Sequence, residues 1–158
     1  MRAPRRRAPA PSPAAAAMTA LLEAAARARA NAYAPYSGFQ VGAAVLAGGK
    51  IFAAANVENS AYPLSVCAER NAVAMAVAAG RRRIDAVAVA GGDRRPAAPC
   101  GGCRQVLAEF AAPDVPIVYA SERGRIVTTV GALLPGAFGP ADLGRPEKAR
   151  PARKRRPR

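Results

Sequence analysis

The sequence predicts an α/β domain: a mixed five-stranded sheet with helices on both faces, a three-layer α/β/α sandwich. Three observations predict it. Short apolar runs alternate with helix-like segments in the order α-β-β-α-β-α-β-β, the pattern of a sheet covered by helices. Hydrophobic residues make up 51% of the 158, enough to bury one core, whereas the length suits one domain rather than two. Only 5% are aromatic and Trp is absent, so alanine carries much of the apolar fraction and the core should be built from small side chains.

Each element has its own signal. Residues 18–32 read as a helix that stops before Pro35, and Met18 at its head is a candidate translation start. Val41–Ala47 and Ile51–Ala55 are strands divided by Gly48-Gly49, a hairpin signal. Residues 65–79 read as a helix closed by Gly80, and the Val-rich run Ile84–Ala90 as a buried strand. A short helix is expected over 101–111, then strands at Pro116–Ala120 and Arg125–Val130 around Glu122–Gly124.

Charge divides unevenly along the chain. The net charge is +14, but residues 1–17 hold Arg2, Arg5, Arg6 and Arg7, and residues 145–158 hold eight Lys or Arg against Glu147. The segment 18–144 is left nearly balanced. Both ends are rich in Arg, Pro and Ala without periodicity, a composition that cannot repay the entropy of ordering. They are read as disordered tails, 1–17 and 145–158, flanking a domain at 18–144. Basic tails can bind polyanions, yet solvated ends are the commoner case, so nucleic-acid binding is not expected to be the main function. No apolar run of about 18 residues is present, which excludes a membrane span. Pro9, Pro11 and Pro13 interrupt the segment after Arg5-Arg6-Arg7, too weak a stretch for the core of an export signal.

Chemistry concentrates in the cysteines. There are three, an odd number, so a disulfide framework is not indicated and a reduced, cytoplasmic setting is expected. The absence of His removes every mechanism that needs an imidazole. Pro99-Cys100-Gly101-Gly102-Cys103 places two thiols at the start of a helix, where the dipole favours thiolate. That alone serves a redox dithiol as well as a metal site. Cys67 also opens an expected helix, and with it three thiolates could fill three positions of tetrahedral zinc and leave one open, the mark of a catalytic rather than a structural ion. In Cys67-Ala68-Glu69-Arg70 an acid stands two residues after a ligand, able to face the open position and exchange protons with water and substrate. Three thiolates leave one net negative charge on zinc, which Arg70, and Arg104 after Cys103, could offset by hydrogen bonding to sulfur.

These residues resemble those of cytidine deaminases, in the short form that assembles as a homotetramer. Zinc deaminases of the three-cysteine kind carry C-x-E and P-C-x-x-C, here Cys67-Ala68-Glu69 and Pro99 to Cys103. The likeness extends to Tyr33-Ala34-Pro35-Tyr36-Ser37 with Phe39-Gln40-Val41-Gly42-Ala43, to Asn56-Val57-Glu58-Asn59 with Tyr62, to Arg104-Gln105-Val106-Leu107, and to Leu133-Leu134-Pro135-Gly136-Ala137-Phe138. One departure is Ala98, where many relatives have Ser.

The resemblance implies hydrolytic deamination of cytidine and deoxycytidine in pyrimidine salvage, with one Zn²⁺ per chain held by Cys67, Cys100 and Cys103. It implies Glu69 as proton shuttle, Asn56 and Glu58 on the ribose 3′-hydroxyl, and Phe39 against the pyrimidine ring. Backbone near Ala68 and Pro99 would meet the amino end of the base, and Tyr62 and Phe138 would reach a neighbouring subunit's site. Without the resemblance, Asn56 and Glu58 read as a turn and Phe39 as core.

Overall fold

The computed structural model describes residues 13–144. A five-stranded sheet runs in the order β2-β1-β3-β4-β5, built from β1 (Val41–Ala47), β2 (Lys50–Ala55), β3 (Ala86–Gly91), β4 (Pro116–Ser121) and β5 (Gly124–Thr129). β3 and β4 pair in parallel and every other pair is antiparallel, so the sheet is mixed, as expected. Helix α1 (Pro13–Arg29) covers one face, and α2 (Ala68–Ala78) and α3 (Gly101–Phe110) cover the other.

Strand alternation sorts the core into these two layers. Ala43 and Val45 of β1 and Val87 and Val89 of β3 turn toward α2 and α3, joined by Ala72, Val73, Leu107 and Ile117. Ala44 of β1 and Ala86, Ala88 and Ala90 of β3 turn toward Leu21, Ala24 and Ala25 of α1. The α1 side is made of small residues because the helix backbone comes very close there. A Cβ on Gly42 would stand 1.9 Å from the Ala25 carbonyl oxygen and 2.5 Å from the Arg29 nitrogen.

The start of α1 corrects the sequence expectation. Residues 13–17, assigned to the N-terminal tail, form its first turns. Ala14–Ala17 are the best helix formers, and Pro at the first helical position gives up only an N–H that would lack an intrahelical partner. The remainder of that tail and all of 145–158 lie outside the described residues. The second helix also begins three residues later than residue 65. Val57 and Val66 exchange backbone hydrogen bonds of 3.0 and 2.9 Å, and this stitch keeps the chain extended up to Cys67. A four-residue helix, α4 (Val130–Leu133), carried no sequence signal of its own; Thr129 caps it by accepting from the Ala132 N–H at 3.3 Å.

Topology places the site. Because β1 is antiparallel to both β2 and β3, those two strands point the same way. The helices that follow them, α2 and α3, therefore begin at the same end of the sheet and on the same face.

Gly42→Ala should destabilise the fold by about 2 kcal/mol or more, since the added methyl meets backbone that cannot rotate away. Thermal unfolding of the purified variant checks this, and an unchanged midpoint would contradict the close α1–β1 packing.

Candidate metal centre and substrate cleft

Cys67 is the N-cap of α2 and Cys100 the N-cap of α3, and neither thiol is used in capping. Cys103 lies one turn further along α3 and is fully buried. Their three sulfur atoms all stand within 4.8 Å of one another, with Cys67 to Cys100 at 3.9 Å and Cys100 to Cys103 at 3.5 Å. Tetrahedral zinc with bonds of about 2.3 Å requires sulfur atoms about 3.8 Å apart. The donor set fits that ion, and it is the one such cluster among the described residues.

The surroundings favour the ionised form of Cys67. The Cys67 thiol is held down to about 5, first by a hydrogen bond from the Cys103 thiol, then by the Arg70 guanidinium and Cys100. Cys103 is pushed up in turn, chiefly by sharing its proton with Cys67, then by burial and the nearby Glu69 charge. Arg70 Nη2 donates to the Ser65 carbonyl at 2.9 Å and points at Cys67 Sγ from 3.7 Å. Its Nε is buried without a partner, an unspent donor beside the sulfurs.

Glu69 sits in the first turn of α2 and is 5% exposed, the one buried charged side chain among the described residues. Burial raises its pKa, its own backbone N–H opposes the rise, and the Cys67 charge adds to it. Ala68, just before it, is fully buried.

Arg104 departs from the expected role. Its Nε donates to the Pro99 carbonyl at 2.8 Å and its Nη1 to the Leu133 carbonyl at 2.9 Å, so its hydrogen bonds brace backbone rather than sulfur. From the first turn of α3 the side chain reaches back to the residue before Cys100. Gln105, which sequence reasoning gave no role, holds the Phe138 carbonyl at 2.8 Å. Between them these neighbours tie the C-terminal segment to the helix that carries Cys103.

Asn56 and Glu58 face a second loop. Asn56 Nδ2 donates to the Phe39 carbonyl and its Oδ1 accepts from the Val41 N–H, both at 2.9 Å. Glu58 accepts from the Tyr36 N–H at 2.9 Å, the Ser37 N–H at 3.2 Å and the Ser37 hydroxyl. Its pKa is lowered, first by that hydroxyl and then by the two amides, while burial opposes them. A cavity of about 280 Å³ opens here, lined by Tyr36, Ser37, Glu58, Tyr62 and Ser65. Tyr62 packs edge-on against Tyr36 at 6.0 Å. Phe39, read from its pattern alone as core, is 49% exposed. Tyr62 and Phe138 are also exposed, at 70% and 60%.

The sequence model of the cytidine and deoxycytidylate deaminase zinc-binding region matches residues 16–119. The chain belongs to this family. A curated cytidine deaminase from Sporosarcina psychrophila is 50% identical over 114 residues, which cover 71% of this chain and 84% of that one. Among solved structures, the cytidine deaminase of Burkholderia pseudomallei is 50% identical with a TM-score of 0.73, covering 76% of this chain and 98% of its own. That of Mycobacterium leprae is 41% identical with a TM-score of 0.65, covering 74% and 96%. Those coverages place the chain with the short deaminases, and the three-layer fold is theirs. No described helix is long and apolar enough to cross a membrane.

If the sulfur cluster binds zinc, a strong chelator should lower the thermal midpoint and stoichiometric zinc should restore it. Replacing Cys103 by Ser should leave the midpoint insensitive to either treatment. Differential scanning fluorimetry with metal analysis reads both outcomes.

Proposed function

We propose that the protein hydrolyses the exocyclic amino group of cytidine and deoxycytidine, giving uridine and deoxyuridine with ammonia. The observation that carries this reading is a buried carboxylate beside a three-sulfur metal cluster, in a chain that offers no fourth thiol and no imidazole. Zinc held by Cys67, Cys100 and Cys103 supplies the Lewis acidity that makes water a nucleophile near neutral pH.

The remaining work falls to the protein. Glu69 takes a proton from the attacking water and delivers it to ring N3 as the water oxygen bonds to C4. A second proton passes from the new C4 hydroxyl through Glu69 to the amino group, the C4–N bond breaks, the C4 carbonyl forms and ammonia leaves. Burial suits Glu69 to this, because its raised pKa lets it hold a proton between the two transfers.

Binding is assigned to the second loop. After its bonds to backbone, Asn56 keeps one N–H and Glu58 keeps acceptor capacity on Oε1, which together match a sugar hydroxyl that both accepts and donates. Phe39 lies against the pyrimidine, and backbone at Ala68 and Pro99 meets its amino end. Arg70 offsets the thiolate charge, and Arg104 fixes the Pro99 carbonyl. We further assign the protein to pyrimidine salvage in the cytoplasm as a homotetramer, in which Tyr62 and Phe138 reach a neighbour's site. Their exposure supports this, as do three cysteines free of disulfides.

Purified protein incubated with cytidine should form uridine, and Glu69→Gln should keep its zinc while losing turnover by about 10³-fold. Turnover by the Gln variant close to wild type would overturn the proton-shuttle role.

A further inference from the structure

We infer that Ser37 is a positioning residue for sugar recognition, holding one oxygen of Glu58 in the orientation that receives the ribose 3′-hydroxyl. This rests on the proposed nucleoside activity and on Glu58 as the sugar contact.

A carboxylate offers about four acceptor positions over its two oxygens. Glu58 Oε2 is filled by the consecutive N–H groups of Tyr36 and Ser37 at 2.9 and 3.2 Å, so it has nothing left for a ligand. Oε1 carries one bond, from the Ser37 hydroxyl. That leaves a single acceptor position on Oε1, and the direction of the Ser37 bond selects which one. The cavity at this point is lined by Ser37 and Glu58 together.

Ser37 has a second task at the same atom. Its Oγ accepts from the Phe39 N–H at 2.9 Å, while Asn56 Nδ2 holds the Phe39 carbonyl at 2.9 Å. One hydroxyl therefore connects the carboxylate assigned to the sugar with the backbone of the aromatic assigned to the base. Gly38 between them has φ +68°, a left-handed conformation that lets the loop turn back toward Glu58. Ser37 itself needs no contact with substrate. Its hydroxyl proton is committed to Glu58 and one of its two lone pairs to the Phe39 N–H.

The two tasks separate by choice of substrate. Loss of the Phe39 contact penalises every pyrimidine nucleoside alike. Loss of the Glu58 contact penalises only a nucleoside that has a 3′-hydroxyl. The test measures kcat/KM for cytidine and for 3′-deoxycytidine with wild type, Ser37→Ala and Ser37→Thr, with zinc content confirmed for each.

The wild type should prefer cytidine. Ser37→Ala should reduce that preference about 5- to 10-fold, the worth of one ordinary hydrogen bond, mainly through KM for cytidine. Ser37→Thr, which keeps the hydroxyl, should restore it. Equal losses on both substrates with an unchanged preference would overturn the positioning role, and so would failure of Thr to restore a lost preference. If the wild type does not deaminate cytidine at all, the nucleoside reading fails and this inference with it.

Discussion

Three sulfur atoms that must all ionise to hold a metal repel one another, and the weak S–H···S bonds among them do not by themselves gather cysteines from distant parts of the chain. The geometry of the cluster has to be imposed from outside. Cys67 and Cys100 are 33 residues apart, yet their sulfurs stand at 3.9 Å because each caps a helix that starts at the same end of the sheet. The cause lies in the strand directions. β1 lies antiparallel between β2 and β3, which aligns those two strands and the helices that follow them. The turn before Cys100 is fixed as firmly: Gly92 has φ +86°, a Cβ there would meet the Arg95 carbonyl oxygen at 2.1 Å, and the Ala97 N–H returns to Gly91.

Core composition follows from the same architecture. Packing α1 onto β1 and β3 at backbone distance demands Gly and Ala, and the low aromatic content meets that demand. The aromatics are placed elsewhere. Of four Tyr and four Phe, Tyr33, Tyr36, Phe39, Tyr62 and Phe138 are exposed, and Tyr36 and Tyr62 line the cleft beside Glu58. The polar groups of that cleft serve two ends. Asn56 and Glu58 satisfy the backbone of the 36–41 loop and still retain hydrogen-bonding capacity, so holding the loop and offering a sugar contact are compatible.

The sheet was legible in the sequence because its strands are apolar runs bounded by Gly and Pro, and Gly48-Gly49 marked the hairpin. The three-sulfur cluster was legible because only three thiols exist and two share a CxxC. The start of α3 at residue 101 was legible too, but the starts of α1 and α2 were not. The Val57–Val66 stitch is a contact between residues nine apart that periodicity does not register, and Ala14–Ala17 are helical although they adjoin an Arg- and Pro-rich stretch. Arg104 could not be assigned from its position beside Cys103, since its partner at Leu133 depends on how the chain returns after β5. Ser37 was visible only as part of a family segment, and its bond to Glu58 spans 21 residues.

The most direct test of the whole account is X-ray absorption at the zinc edge on protein loaded with one equivalent of zinc. Three sulfur scatterers at about 2.3 Å and one oxygen or nitrogen at about 2.0 Å are expected, the signature of a three-thiolate ion with one exchangeable position. A shell of two or fewer sulfurs would mean that the three cysteines do not act together, and that the alignment of β2 with β3 does not build a three-thiolate site.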